Sequence, residues 1–228
     1  MDRAAEKLSA THGSDRLFGY PCDVRDFVQV QALWDAAKAH WGNVDIWVNN
    51  AGIAHAQTPL CEQNSDEVAA VVSTNVIGTL YGAQVAMKGM LKQGAGSIYN
   101  LEGLGSDGRT VEGLTTYGTT KAALAYLTDA MARELKYTPV IVGAIRPGMV
   151  VTDMITQQYK DRPEQWDEAK QIFNILADRI ETVTPWIADR VLANRKNGAR
   201  IRWLSPSKTM SRFLMAPFKR RDLFGEDE

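Results

Sequence analysis

The chain has 228 residues, 45% of them hydrophobic and 23% charged, with a formal net charge of −1. This describes a single globular domain with a full core, and it excludes the basic excess that a nucleic-acid surface needs. Two cysteines, Cys22 and Cys61, exclude a disulfide framework; three scattered histidines, His12, His40 and His55, with no Cys/His cluster, give no expectation of a metal site.

No apolar run approaches the roughly 18 residues of a membrane span. Residues 1–12 are charged and alanine-rich rather than a basic-then-apolar leader, so a reducing, cytoplasmic setting is expected. Residues 1–9 read as the back half of a helix, with Ala4, Ala5 and Leu8 on one side and no start signal. A short strand is expected over 16–22, an amphipathic helix over 26–41 (Phe27, Val30, Leu33, Trp34, Ala37) and an apolar strand over 44–49. Helical segments within 66–91, a strand over 96–101, a helix over 114–135 and a strand over 140–146 come next. Helices near 163–177 and 185–195 and a last strand over 199–204 complete the series, without repeats or a low-complexity linker. Alternating strands and helices imply a parallel sheet covered on both faces, an α/β doubly wound, Rossmann-type arrangement.

Within the helix over 114–135, Tyr117 and Lys121 project from one face a single turn apart. An ammonium beside a phenol favours the phenolate, lowering the pKa from about 10, and such a tyrosine can exchange a proton with an alcohol or carbonyl oxygen. The spacing alone also suits a solvated surface pair, so the surroundings decide. In doubly wound sheets the ligand lies beyond the carboxyl ends of the strands. Those ends carry Asp23-Val24, Asn49-Asn50-Ala51-Gly52, the stretch 100–105 and Pro147-Gly148. Glycine and alanine there let backbone approach a flat ligand, and Asp23 can accept from an exocyclic amine. Any one of them could be a turn residue; together they mark one edge of the sheet.

These motifs, in this order, resemble the short-chain dehydrogenase/reductase family: Asn-Asn-Ala-Gly at 49–52, Asn75 inside a helix, Tyr-x-x-x-Lys at 117–121 and Pro-Gly-Met-Val-Val-Thr at 147–152. The resemblance spans 16–204 and implies an NAD(P)-dependent oxidoreductase acting on a small, apolar carbonyl or alcohol. It implies that Asp23 and Val24 hold the adenine, that Asn50, Ala51 and Gly52 line the adenosine ribose, and that Pro147, Gly148, Val150 and Thr152 position the nicotinamide carboxamide. Tyr117 would be the general acid/base. Lys121 would bond the nicotinamide ribose and lower the tyrosine pKa, while Asn75 would interrupt its helix to hold a water linking Lys121 to solvent. Both cofactor residues and catalytic residues therefore include Tyr117 and Lys121.

Two features depart from the family pattern. Where a serine usually polarises the substrate oxygen, the chain reads Glu102-Gly103-Leu104-Gly105, and the nearest hydroxyl is Ser106. The run 103–108 resembles a loop of the chlorophyll b reductase branch, as do Arg-Pro-Gly-Met-Val-x-Thr-Asp and 173–177, and this implies that Ser106 takes the serine role; a structural serine in a glycine turn is the alternative. Resemblance to this branch implies NADP ahead of NAD and a formyl group on a macrocycle as substrate, with other apolar carbonyls as the alternative. Gly103, Gly105 and Gly108 also spell G-x-G-x-x-G, but polar residues 109–113 come after it instead of a helix, so this is not a phosphate loop.

The second departure is at the front. The family's phosphate-binding glycine turn and the residues separating NAD from NADP should precede residue 1, so the domain over 1–205 is expected to lack its first strand–helix–strand unit, roughly 35 to 45 residues. Such a chain alone would bind cofactor poorly, and a non-catalytic subunit or binding module is the alternative function. An epimerase of the extended branch is disfavoured by the short C-terminal region. The tail over 206–228 sets Met210, Phe213, Leu214 and Phe218 beside Arg212, Lys219, Arg220 and Arg221. Packing against the domain or a second subunit is expected there ahead of a membrane-surface helix. Homo-oligomerisation, as dimer or tetramer, is implied by the resemblance alone.

Overall fold

Four parallel strands lie side by side in chain order in the computed structural model: β1 (Ile46–Asn49), β2 (Gly96–Leu101), β3 (Val140–Arg146) and β4 (Ala199–Arg202). The structure describes residues 2–152, 159, 163–219 and 221–224. Arg220 of the tail stripe and residues 153–158 and 160–162 thus lie outside the described residues. Asn49 stands opposite Asn100 and Leu101 opposite Ile145, so the carboxyl ends of the first three strands form one edge.

The helices are α1 (Asp2–His12), α2 (Phe27–Trp41), α3 (Ser65–Val72), α4 (Gly78–Gln93), α5 (Thr115–Glu134), α6 (Pro163–Leu176), α7 (Ile180–Ala193) and α8 (Pro206–Met215). Asp26 starts α2 by accepting from the amides of Val28 and Gln29, and Asn64 does the same for α3 through Asp66 and Glu67. Caps of this kind are each worth about 1 kcal/mol.

Alternation along β2 separates two layers. Ile98 joins Val30 and Trp34 of α2, Ala86 and Met90 of α4, Met131 of α5, and Val140 and Val142 of β3. Tyr99, pointing the other way, joins Ile145, Val191 of α7 and Ile201, and its hydroxyl accepts from Asn194 Nδ2 at 2.9 Å. Helices therefore cover both faces, as expected. The β1–β2 and β2–β3 connections carry α4 and α5 on one face and step the same way along the sheet. The β3–β4 connection steps the same way with α7 on the other face, so its crossover has the opposite hand, a rare arrangement in parallel sheets.

Two expectations are corrected. The segment 16–22 is not a strand: Ser14–Arg16 forms a 3-10 turn, and the chain beyond it starts extended, with Leu17 at φ −128°, but pairs with no strand. A ladder needs a neighbour to satisfy its backbone groups. Among the described residues β1 is the sheet's edge, and 17–24 is held instead by Cys22 and Val24 packed on the α2–α4 core. The second concerns apolar length. The continuous helical run Ser65–Gln93 is long and apolar enough, by length and composition, to cross a membrane. Burial of Val71, Ala83, Val85, Ala86 and Met90 inside the domain accounts for part of that composition, while Val72, Ile77, Leu80 and Leu91 stay exposed.

The tail packs on the domain. Asp178, after α6, accepts from Trp203 Nε1 (2.5 Å), Arg212 Nη2 (2.6 Å) and Arg221 Nη2 (2.8 Å). Phe224 packs edge-on against Trp166 of α6, ring centroids 4.8 Å apart. Met210, Phe213, Leu214 and Phe218 remain exposed.

Candidate active site

The first turn of α5 is stapled to the loop after β1. Thr116 Oγ1 donates to Gln63 Oε1 (2.5 Å), and the Tyr117 amide donates to His55 Nε2 (3.3 Å). With Nε2 accepting, His55 carries its proton on Nδ1 and donates it to the Ala56 carbonyl at 2.7 Å. His55 is buried. It was legible in the sequence only as one of three scattered histidines, because nothing in its neighbourhood marks a partner so far along the chain.

One turn on, the Lys121 ammonium lies 5.6 Å from the centre of the Tyr117 ring and donates to the Leu101 carbonyl at 3.0 Å. Lys121 is 4% exposed. Among the described residues the Tyr117 hydroxyl has no hydrogen-bond partner, whereas two of the three Lys121 donors remain unused. Burial pushes the Tyr117 phenol up from its ordinary value and brings Lys121 down to about 8. The expected lowering of the tyrosine pKa by the lysine is therefore not seen: the ammonium is turned toward a carbonyl, and desolvation of the phenolate dominates.

Asn75 lies where its helix widens without breaking. It is fully buried in a π-helical turn, Ser73–Ile77, between α3 and α4. Its side chain accepts from the Ile53 amide (2.8 Å) and donates to the Ile53 carbonyl (2.9 Å) and Thr120 Oγ1 (3.1 Å), so it ties the strand-end loop to α5. A Cβ added to Gly52 would lie 3.3 Å from Asn75 Oδ1 and 3.7 Å from Lys121 Nζ. Gly52, Asn75, Tyr117 and Lys121 thus converge on one spot.

Ser106 sits differently. Its hydroxyl donates to the Gly103 carbonyl at 2.5 Å, closing the loop on itself. The position beside the tyrosine hydroxyl belongs to Gly103, where a Cβ would come within 2.8 Å of it. Gly105, at φ +98°, lies flat on α5; a Cβ there would meet the Gly118 carbonyl oxygen at 2.5 Å. The run 103–108 is thus a turn packed on a helix side, and α5 begins only at Thr115, which agrees with rejecting it as a phosphate loop.

Of the residues assigned to the cofactor, Val24, Asn50 and Ala51 line one narrow cleft of about 120 Å³ with Cys22, Trp47 and Gly78. Asp23 is turned away from it: Arg25 binds its carboxylate, with Nη2 at 2.6 Å, and holds its pKa down to about 2. Pro147 and Gly148 come directly after β3, and Val150 bridges to Asp178, whose amide donates to the Met149 carbonyl at 3.0 Å and whose carbonyl accepts from the Val151 amide at 3.0 Å. Thr152 is half-buried. Small residues at 51 and 52, the unused Lys121 donors and the anchored 147–152 loop fit the ribose and nicotinamide of a dinucleotide. A second cavity of about 520 Å³ opens beside the start of α5, between Gln57, Glu112 and Gly113 on one side and Tyr159, Ala169 and Ile172 on the other.

Comparison with known proteins adds the family and fold relationships. The sequence pattern of the short chain dehydrogenases matches residues 1–163. Chlorophyll(ide) b reductase NOL, chloroplastic, of Oryza sativa subsp. japonica is 32% identical over 221 residues, covering 93% of this chain and 63% of that protein. Probable chlorophyll(ide) b reductase NYC1, chloroplastic, of the same plant is 30% identical, covering 93% of this chain and 41% of that protein. The chain thus spans between about two fifths and just under two thirds of these relatives. In fold it is similar to the solved structure of ElxO with NADP bound, with a TM-score of 0.75 and 23% identity over 88% of this chain and 82% of that one. The chain belongs to the short chain dehydrogenase family.

Proposed function

We propose that this chain is the catalytic domain of an NAD(P)-dependent oxidoreductase that moves a hydride between the nicotinamide and a carbonyl or alcohol. The observation that carries it is the Tyr117 hydroxyl, without a hydrogen-bond partner among the described residues, beside a buried Lys121, with Asn75 behind. The cofactor supplies the hydride chemistry; the protein supplies position and proton. In the reductive direction the Tyr117 phenol, kept neutral by burial, donates its proton to the substrate oxygen. Lys121, cationic below about pH 8, stabilises the phenolate left behind. Asn75 holds Gly52 and Ile53 against α5 so that the pair faces the strand ends. Ser106 reaches a substrate oxygen only by releasing the Gly103 carbonyl.

The substrate is a formyl or keto group on a bulky apolar ring system. The names of the two plant relatives support this, as does Gly103, which places no side chain beside the Tyr117 hydroxyl. NADP is the favoured cofactor, by the same relationship. The test is Tyr117→Phe, assayed by NADPH oxidation with an aromatic aldehyde. Turnover falls about a thousandfold, within the range of general acid catalysis, while the melting temperature holds. Activity kept within tenfold of the parent would sink the assignment. A non-catalytic subunit is the second reading, favoured by the edge of β1, unpaired among the described residues; it predicts no turnover in the parent chain either.

A further inference from the structure

The carboxylate of Glu102 is wholly buried, yet none of the roles above uses it. Ile98, Asn100 and residue 102 share the side of β2 that α5 covers, and Asn100 Nδ2 donates to Thr128 Oγ1 of α5 at 3.0 Å. The Glu102 amide donates to the Ile145 carbonyl at 2.8 Å, extending the β2–β3 ladder by one residue. Its side chain is gripped from β3 and, one strand further, from β4: Arg146 Nη2 approaches at 2.8 Å and Arg200 Nε at 3.3 Å. Each arginine is shared with a second acid, Arg146 with Asp107 (3.0 Å) and Arg200 with Asp129 of α5 (2.8 Å).

The residues on either side of Glu102 both touch Lys121. The Leu101 carbonyl takes its ammonium at 3.0 Å, and a Cβ on Gly103 would lie 3.3 Å from its Cγ. An ammonium in such a site is stable only with an anion close by. The charged and titratable groups around it can be named: Tyr117 and Asp129 on α5, Glu102 beyond β2, Arg146 on β3, Arg200 on β4, and Asp107 with Arg109 in the loop before α5. His55 lies against the Tyr117 amide, and Asn75 contributes only a dipole. Tyr117 is neutral, and Asp107 and Asp129 are partly exposed, with side chains 26% and 54% accessible and matched by arginines. Glu102 is the wholly buried anion of the set.

We propose that Glu102 is a positioning residue of the Tyr117–Lys121 site: held by Arg146 and Arg200, it is the counter-charge that keeps Lys121 cationic. The role of that charge in turnover rests on the oxidoreductase reading; its effect on Lys121 does not. Burial lowers the lysine pKa to about 8 even with Glu102 pulling the other way.

The test is a pH titration of Lys121 in the full chain, monitored by NMR of lysine labelled with 13C at Cε and assigned with Lys121→Arg. The parent titrates near pH 8, and Glu102→Gln lowers the midpoint by about one unit, a tenfold change in the proton equilibrium. Glu102→Asp restores most of it. A folded Glu102→Gln with an unmoved midpoint overturns the proposal. Should that variant fail to fold, Glu102→Gln is made in the Arg200→Met background, and its midpoint is compared with that of Arg200→Met alone by the same criterion, because removing the arginine raises the lysine pKa by itself. Where turnover is measurable, the alkaline limb of kcat/KM moves with the midpoint. A parent that titrates as expected but shows no turnover overturns the oxidoreductase reading alone.

Discussion

The two ends of the sheet are built on different principles. Toward β4 the strand ends are bound by charge: Glu102 takes Arg146 and Arg200, and Asp178 takes Trp203, Arg212 and Arg221, joining α6, β4, α8 and the tail. Toward β1 the edge is unpaired among the described residues, Val48 is 43% exposed, and 17–24 leans on the core through Cys22 and Val24. Tyr117 and Lys121 stand on the locked side of this divide, and the residues assigned to adenine on the loose side. Groups that must meet a developing charge gain from fixed surroundings, since preorganised dipoles need no rearrangement at the moment of reaction. Groups that grip the far end of a ligand contribute affinity, and ordering them on binding costs only part of it.

The largest effect should come from cutting the charged knot. Asp178→Ala leaves Arg212, Arg221 and the Trp203 indole without their shared acceptor in a site where Asp178 is 6% exposed. Breaking one partner of a buried pair costs about 3 kcal/mol, to be read from urea unfolding. Acid acts the same way more gradually. Burial works to raise the Asp178 pKa, but the Trp203 and Arg212 bonds outweigh it and hold the carboxyl below its ordinary value. Its contribution is therefore present above the unfolded carboxyl pKa and is lost as pH falls through the lower, folded one. Equal stability of parent and Asp178→Ala would show the knot to be ornament.

An effect of opposite sign and no larger size is expected at Lys121. Its folded pKa of about 8 lies below the ordinary 10.5, so the unfolded chain holds more protons between those values. Folding is then penalised fully below pH 8, and the penalty fades as pH rises toward 10.5, so that stability climbs across this window. At about 1.4 kcal/mol per pH unit, Lys121→Met should raise the unfolding free energy at pH 7 by up to about 3 kcal/mol while abolishing turnover. Unfolding curves at pH 7 and pH 10 check it: the gap between variant and parent shrinks at the higher pH. A variant less stable than its parent at pH 7 would mean that the ammonium is satisfied rather than strained.

Much of this division was legible in the chain. The strands expected over 96–101 and 140–146 coincide with β2 and β3, because runs such as Val140-Ile141-Val142 carry the continuous apolar signal of a strand buried on both faces. Asn75, Tyr117 and Lys121 converge as their motifs imply. Hidden were the properties that depend on partners distant in sequence. Residues 16–22 have strand-like composition, but composition supplies no neighbour. The spacing of Tyr117 and Lys121 predicts proximity; their desolvation, which reverses the expected tyrosine shift, comes from the Gly103 loop folding over α5. Arg212 and Arg221 read as the polar side of a surface stripe, yet both turn inward, because Asp178 in a different element waits for them.

The smallest effect sharpens the comparison from the loose side. If Asp23 met adenine as the family pattern implies, its carboxylate would have to be free, but Arg25 binds it through Nε and Nη2, and the side chain is 40% accessible to water. An exposed pair of this kind is worth little, so breaking it should neither unfold the chain nor change much at the cleft formed by Val24, Asn50 and Ala51. Asp23→Asn should therefore alter NADP affinity, measured by calorimetry, by less than about threefold, in line with the small energy of exposed pairs. A tenfold loss would instead mean that the carboxylate leaves Arg25 for the adenine amine when the dinucleotide arrives. The loose edge would then rearrange on binding, and the contrast between the two ends of the sheet would be one between a site already formed and a site that its ligand completes.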